Sequence, residues 1–395
     1  MMLGRRARPW LPALLVAAAV GFWWLAAVQV AYRGQATALF MIGEHTPAPA
    51  WLERSETLYR WKGSGGYDGQ YFHLLAHAPF AFRELAPMMD RPRMRIQRIL
   101  IPVLAWMVAG GRLGWIDPAY FTVILASLTA GAWCTALLAE RSGASPWWGL
   151  AFLALPASLG SAERMLVDGP LMAAAAGVLL LLDTKRWRWA WLLAAAAPFI
   201  RESGLIIAAA VALVHASRRA WVNAGLWIAA AAPFTLWLMM IRDLPGGMDF
   251  RWAGLFHSVM RLSVESEPGI RNLQSRAWLQ GLDLAVLAGF LWACAASLRG
   301  LWNGWKRRTP VSLPLSLAAV AAGAALAVCH LEPRHAWDSV FSVGRVFAPV
   351  YFGVLIEGLH TGKPWHACLC LLPAAVRASL PIGRVLVQAA EALAG

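Results

Sequence analysis

Residues 10–32 read WLPALLVAAAVGFWWLAAVQVAY, an apolar run preceded by Arg5, Arg6 and Arg8. At about 1.5 Å per residue a helix over this run is roughly 34 Å long, enough to cross a hydrocarbon core of about 30 Å. It exceeds the roughly 7–15 apolar residues of a cleaved signal core, so it reads as an uncleaved first helix, with cleavage near Ala31 as the alternative.

Comparable runs recur along the chain. Candidate spans lie at 10–32, 118–139, 146–161, 168–183, 187–200, 203–217, 221–241, 281–300, 311–330 and 341–358, and 366–393 is either a further span or an interfacial helix because Arg377 and Arg384 interrupt it. The expectation is an all-α, polytopic membrane protein of roughly ten to twelve transmembrane helices, forming one membrane domain over residues 1–395. Of the 395 residues, 59% are hydrophobic and only 14% charged, against about a quarter charged in ordinary soluble domains.

The net charge of +14 could suggest a nucleic-acid partner, but Arg and Lys fall mostly in short gaps between apolar runs and form no basic face. They read as topology signals, and nucleic acid is excluded. The close cysteines, Cys368 and Cys370, lack the spacing of a zinc or redox motif.

Lys and Arg favour cytoplasmic loops, so Arg5–Arg8, Lys185–Arg188, Arg218 with Arg219, and Arg299–Arg308 are assigned inward. The segment 33–96 then becomes a large first extracytoplasmic loop and 242–280 a second long one. Counting from both ends conflicts if 98–110 crosses. At about 20 Å that segment is short for a crossing and reads as re-entrant or interfacial. A genuine crossing there, with 146–161 and 168–183 wrongly divided, is the alternative. The outer face then gathers 33–96, the turns at Glu163–Asp168 and Arg201–Ser203, 242–280, and the loop around His330–Asp338.

Candidate chemistry lies on that face. Gly65-Gly66-Tyr67-Asp68-Gly69-Gln70-Tyr71-Phe72-His73 puts a carboxylate on a glycine turn, where Asp68 either meets a substrate or caps a helix beginning near Gln70. His73 and His77 share one helix face, a spacing also found in metal-binding pairs, although interfacial packing is the simpler reading. Arg91, Arg93, Arg95 and Arg98 form an outward basic cluster, against the positive-inside trend, and suit either a phosphate or snorkelling anchorage. Glu163, Arg164 and Asp168 precede an apolar run in which Asp168 could cap the helix and pair with Arg164. Arg201, Glu202 and Arg345 stand within apolar surroundings, where ionisable groups are functional candidates.

Taken in order, Tyr67-Asp68-Gly69-Gln70-Tyr71, Arg98-Ile99-Leu100-Ile101-Pro102, Arg164–Asp168, Arg201-Glu202-Ser203-Gly204-Leu205 and Gly344-Arg345 before Pro349 resemble the GT-C superfamily. More narrowly they are similar to bacterial proteins of cell-surface glycopolymer formation and to polyprenyl-phosphate-dependent mannosyl and arabinosyl transferases. Such relatives often carry an acid before the proline that closes the first-loop helix, whereas Ala78 stands before Pro79 here.

The resemblance implies a GT-C-like glycosyltransferase of the bacterial inner membrane, its active site extracytoplasmic. A polyprenyl-phosphate-linked sugar would be the donor, a cell-envelope glycan or lipid the acceptor, and membrane lipids the surroundings. Asp68 falls on the family's working carboxylate, and Tyr67, Gln70, Arg95, Arg98, Glu163, Arg164, Asp168, Arg201, Glu202 and Arg345 become candidate substrate-binding residues. A divalent cation could bind Asp68 with Glu163 or Asp168, but no metal ligand set is assigned. The rival readings are a transporter or flippase of lipid-linked glycans and a non-catalytic subunit of a glycan-assembly complex.

Overall fold

The computed structural model describes residues 8–246, 273–307, 309–331 and 344–394. Most of the predicted loop 242–280 and of the loop around His330–Asp338 lies outside them.

Among the described residues the chain is almost entirely helical. The apolar run that opens the sequence forms α1 (Trp10–Ala26), which widens into a single π turn at Ala27–Ala31. Then comes a compact segment containing α2 (Ala50–Ser55), α3 (Asp68–His77), α4 (Phe82–Leu85) and α5 (Pro92–Ile96). The chain continues through α6 (Leu100–Val108), α7 (Ile116–Arg141), α8 (Pro156–Arg164), α9 (Asp168–Asp183), α10 (Trp187–Ile200), α11 (Leu205–Ser217), α12 (Trp221–Ile228) and α13 (Ala232–Met240). The last four helices are α14 (Leu273–Lys306), α15 (Leu313–Leu331), α16 (Ala348–His360) and α17 (Trp365–Ala394).

Packing follows a circuit. Helix α1 lies on α7, α7 on α9, α9 on α10, α10 on α11, α11 on α15, α15 on α16 and α16 on α17. Helix α17 returns to the π turn after α1, closing the circuit among the described helices. Small residues allow close approach within this bundle: a Cβ on Gly353 would come within 2.7 Å of the Pro314 carbonyl. The outward faces carry Leu14, Phe22, Leu25, Trp221, Val222, Leu236 and Leu284, all well exposed, which water would not favour but hydrocarbon does.

Among the described residues, five helices are long and apolar enough to cross a membrane: Trp10–Ala31, Leu113–Arg141, Trp221–Met240, Trp278–Lys306 and Trp365–Val387. The other expected spans look different. Residues 146–161 divide into a 3₁₀ turn, Pro146–Phe152, and the start of α8. Helices α9, α10 and α11 have 16, 14 and 13 residues, roughly 20–24 Å of helix against a core of about 30 Å. Helix α6 has only 9 residues, so the segment 98–110 offers no crossing helix of its own. The C-terminal stretch, left open between span and interface, is a 30-residue helix despite Pro373 and Pro381 within it.

The segment 33–96 is a folded cap. Its short strands Ile42–Gly43 and Arg60–Trp61 pair in parallel, and Leu52, Leu74, Leu75, Leu85, Met89 and Ile96 build a second core with Ile241 at the end of α13. Helix α3 is the shared element: Phe72 and Ala76 enter the main core while Tyr71, Leu74 and Leu75 enter the cap core.

Candidate functional site

The cap begins its central helix where the glycine turn ends. Gly66 has φ +80, a left-handed geometry favouring glycine, and Tyr67 is extended before α3 starts at Asp68. A Cβ on Gly69 would strike the carbonyl oxygens of Arg164 and Phe40, so the first turn of α3 lies directly against the end of α8.

Asp68 does not cap the helix. It occupies the first helical position, Tyr67 is the N-cap, and no side-chain cap bond forms. Its carboxylate instead faces three guanidiniums. Arg95 donates to Oδ1 at 2.7 Å, while Arg345 and Arg98 approach Oδ2 at 3.5 and 3.7 Å. Burial pushes the Asp68 carboxyl up, but Arg95, Arg345, Arg98 and Arg201 outweigh it and hold the group well below the usual carboxylate range.

The arginines are themselves partnered. Arg95 forms a two-pronged pair with Asp90, with Nε and one terminal nitrogen each 3.0 Å from a carboxylate oxygen, and it lies over the Tyr71 ring at 4.8 Å. Arg98 grips Glu202 at 2.8 and 2.6 Å, with Gln97 donating to the same carboxylate at 3.1 Å. Such forks fix both position and orientation.

Two chain reversals bring the remaining charges in. Between α8 and α9, Met165 takes a left-handed φ of 51, with the Tyr120 hydroxyl donating to its carbonyl at 3.1 Å and the Trp24 indole donating to the Ala162 carbonyl at 2.7 Å. This break corrects the expected Arg164–Asp168 pair: the helix does not continue through them. Arg164 instead contacts Glu163 at 3.1 Å and covers the Tyr67 ring, which Arg345 covers as well. Asp168 is not a cap either; it pairs with Arg201 and lies 3.6 Å from Arg345. The second reversal, Arg201–Gly204, turns Arg201 and Glu202 towards the same place.

The sequence-predicted residues Tyr67, Asp68, Arg95, Arg98, Glu163, Arg164, Asp168, Arg201, Glu202 and Arg345 therefore form one connected cluster. Gln70 stands apart in role. Its amide accepts from Gly43 N at 3.0 Å and from the Thr46 hydroxyl at 2.6 Å and donates to the Gly65 carbonyl at 3.2 Å, so it stitches the cap. The suggested cation site has no such geometry, because guanidiniums stand against Asp68, Glu163 and Asp168.

Sequence reasoning missed Asp90, Gln97 and Tyr71. The signal for Asp90 was a lone acid just ahead of an arginine run. Some donors stay unmatched: among the described residues, Arg201 Nε, Arg345 Nε and Ser203 Oγ are buried without a hydrogen-bond partner. Arg201 and Arg345 are only 5% and 7% exposed, and buried donors without partners are costly, so a site of this kind suits an anion.

Beside the cluster, an open cleft of about 620 Å³ lies within the cap, lined by Glu44, Thr46, Ser64, Tyr71, Met89 and Asp90 among others. At the far turn of α3, Glu56, His73, His77 and Asp117 place ligand atoms within 4.8 Å of one another. No protein family, curated protein or solved structure matches the chain.

Proposed function

We propose that the chain is a membrane glycosyltransferase of GT-C type, moving a sugar from a polyprenyl-phosphate donor to a cell-envelope glycan or lipid on the extracytoplasmic face. One observation carries this reading. One partly buried carboxylate, Asp68, is ringed by Arg95, Arg98 and Arg345, and Arg201 and Arg345 next to it retain unmatched donors.

The chemistry follows from competition for these guanidiniums. The donor's phosphate, a diester with one negative charge, engages the same planar forks, and its charge grows as the bond to the sugar breaks, so it competes with Asp68 for arginine. Losing those partners raises the basicity of Asp68 towards the ordinary carboxylate range. Asp68 then accepts the proton of the acceptor hydroxyl while that oxygen attacks the anomeric carbon. The bond from that carbon to the phosphate oxygen breaks, and the electron pair leaves on the phosphate. Arg95, Arg98, Arg201 and Arg345 stabilise the charge that grows there. The cap cleft lined by Tyr71 and Asp90 supplies an approach for the acceptor from the aqueous side.

Asp68→Asn keeps the shape and removes basicity. With folded, monodisperse protein in matched amounts, transfer of radiolabelled sugar from a polyprenyl-phosphate donor should fall about a hundredfold to ten-thousandfold. Near-normal turnover by this variant would remove the residue-level basis of the proposal.

A further inference from the structure

The second cluster on α3 belongs to no part of the proposed transfer reaction. His73 and His77 lie on successive turns of α3, Glu56 follows the end of α2, and Asp117 sits in the first turn of α7. His73 Nε2 is 3.0 Å from Glu56 Oε1 and 3.1 Å from Asp117 Oδ1, and His77 Nε2 is 3.6 Å from the same Glu56 oxygen. The imidazoles are 1% and 4% exposed, so they are core residues and do not pack at an interface.

We infer that these four side chains form a closed, structural site for a divalent cation of zinc type, with two imidazole nitrogens and two carboxylate oxygens as ligands. Its role is to clamp the cap to α7, and it is separate from the transferase reading.

Three features point to a cation. First, His73 Nε2, Glu56 Oε1 and Asp117 Oδ1 are buried and close, yet none has a hydrogen-bond partner among the described residues. The atoms crowd within 4.8 Å of one another without meeting hydrogen-bond geometry. Second, the tautomer of His77 is set by its other nitrogen. Nδ1 lies 3.0 Å from the His73 carbonyl, which can only accept, so Nδ1 carries the proton and Nε2 presents a lone pair towards Glu56. A lone pair facing a carboxylate is repulsive unless a cation lies between them, and this backbone anchoring is the support that metal-bound histidines use. Third, the spacing fits. Tetrahedral ligands about 2.0–2.2 Å from zinc lie roughly 3.3–3.5 Å from one another; three of the six pairs here stand at 3.0, 3.1 and 3.6 Å and all lie within 4.8 Å, a spread that small side-chain shifts on binding would close.

Charge agrees with this. Two carboxylates with two neutral imidazoles leave a charge of about −2 in a buried place, which a divalent cation neutralises and a single imidazolium does not. Four protein ligands, all largely buried, leave no open coordination position, as in structural rather than catalytic zinc sites.

Tag-free, full-length protein purified in detergent without chelator should carry about one zinc per chain by elemental analysis. After stripping, added Co²⁺ should give the visible absorption of a tetrahedral site, and chelator should lower the thermal midpoint. Glu56→Gln and His77→Gln, read on the monodisperse fraction, should each lose more than about four-fifths of the bound metal. Wild-type protein that holds no zinc, gives no cobalt spectrum and melts identically with and without chelator overturns the site in favour of an imidazolium ion pair at His73. Wild-type metal content in both variants overturns the ligand assignment. None of these readouts requires sugar transfer, so their failure is distinct from failure of the proposed function.

Discussion

Asp68 is a carboxylate whose three closest partners are cations, and its behaviour in acid follows from that. Its folded-state pKa lies below the unfolded value of about 3.9, so the stability it contributes is present in full above that value. That contribution is lost as pH falls through the lower folded-state pKa. Removing one partner of a buried ion pair costs roughly 3 kcal/mol. The thermal midpoint of Asp68→Asn should therefore lie below wild type by a gap that is constant from about pH 8 to pH 5 and narrows below about pH 4. A gap that widens on acidification would contradict the ion-pair geometry.

The same residue marks what could be read in advance. Charged side chains in apolar sequence were recognisable as candidates because burying them needs a reason. The partner of each was not, since Arg98 and Glu202 are 104 residues apart. Local spacing also misled at Asp168, where a pairing four residues back failed because α8 ends first.

Helix α3 shows this at the level of an element. Its first turn presents Asp68 and its last two turns present His73 and His77, while its apolar residues divide between two cores. The sequence suggested a glycine turn leading into a helix beginning near Gln70; burial of that helix on two sides depends on the cap having its own core. The small size of residue 69 is what permits this double contact. Gly69→Ala should push α3 away from α8 at a cost of about 1–3 kcal/mol. Gly65→Ala, with open space around its added Cβ, should melt close to wild type. Equal midpoints in differential scanning fluorimetry would mean that the two helices do not need this close approach. Likewise Glu56 and Asp117 escaped notice as ligands because neither shares an element with the two histidines.

For the whole molecule, hydropathy identified the long helices at 10–32, 118–139, 221–241 and 281–300, and each lies largely within a helix able to span. The expected spans at 168–183, 187–200 and 203–217 are the apolar helices α9, α10 and α11, which at 16, 14 and 13 residues are shorter than a straight crossing. Orientation rests on the flanking arginines. In a background without the 5 native cysteines, Lys62→Cys should react with a membrane-impermeant maleimide in spheroplasts while Arg186→Cys should react only after lysis. The reverse pattern would invert the topology and with it the side on which the proposed reaction occurs.

The contact between Asp68 and Arg345 joins positions 277 apart along the chain. At about 5–20 residues per second, the ribosome delivers the second partner roughly 15–60 s after the first. Before that interval ends the chain holds every residue of the cap core, Ile241 included, and all four members of the Glu56–Asp117 cluster, whereas the arginine ring is incomplete. A nascent chain thus carries an assembled cap before it carries the complete arginine ring, and a premature stop after α13 would leave a fragment in which Asp68 lacks Arg345.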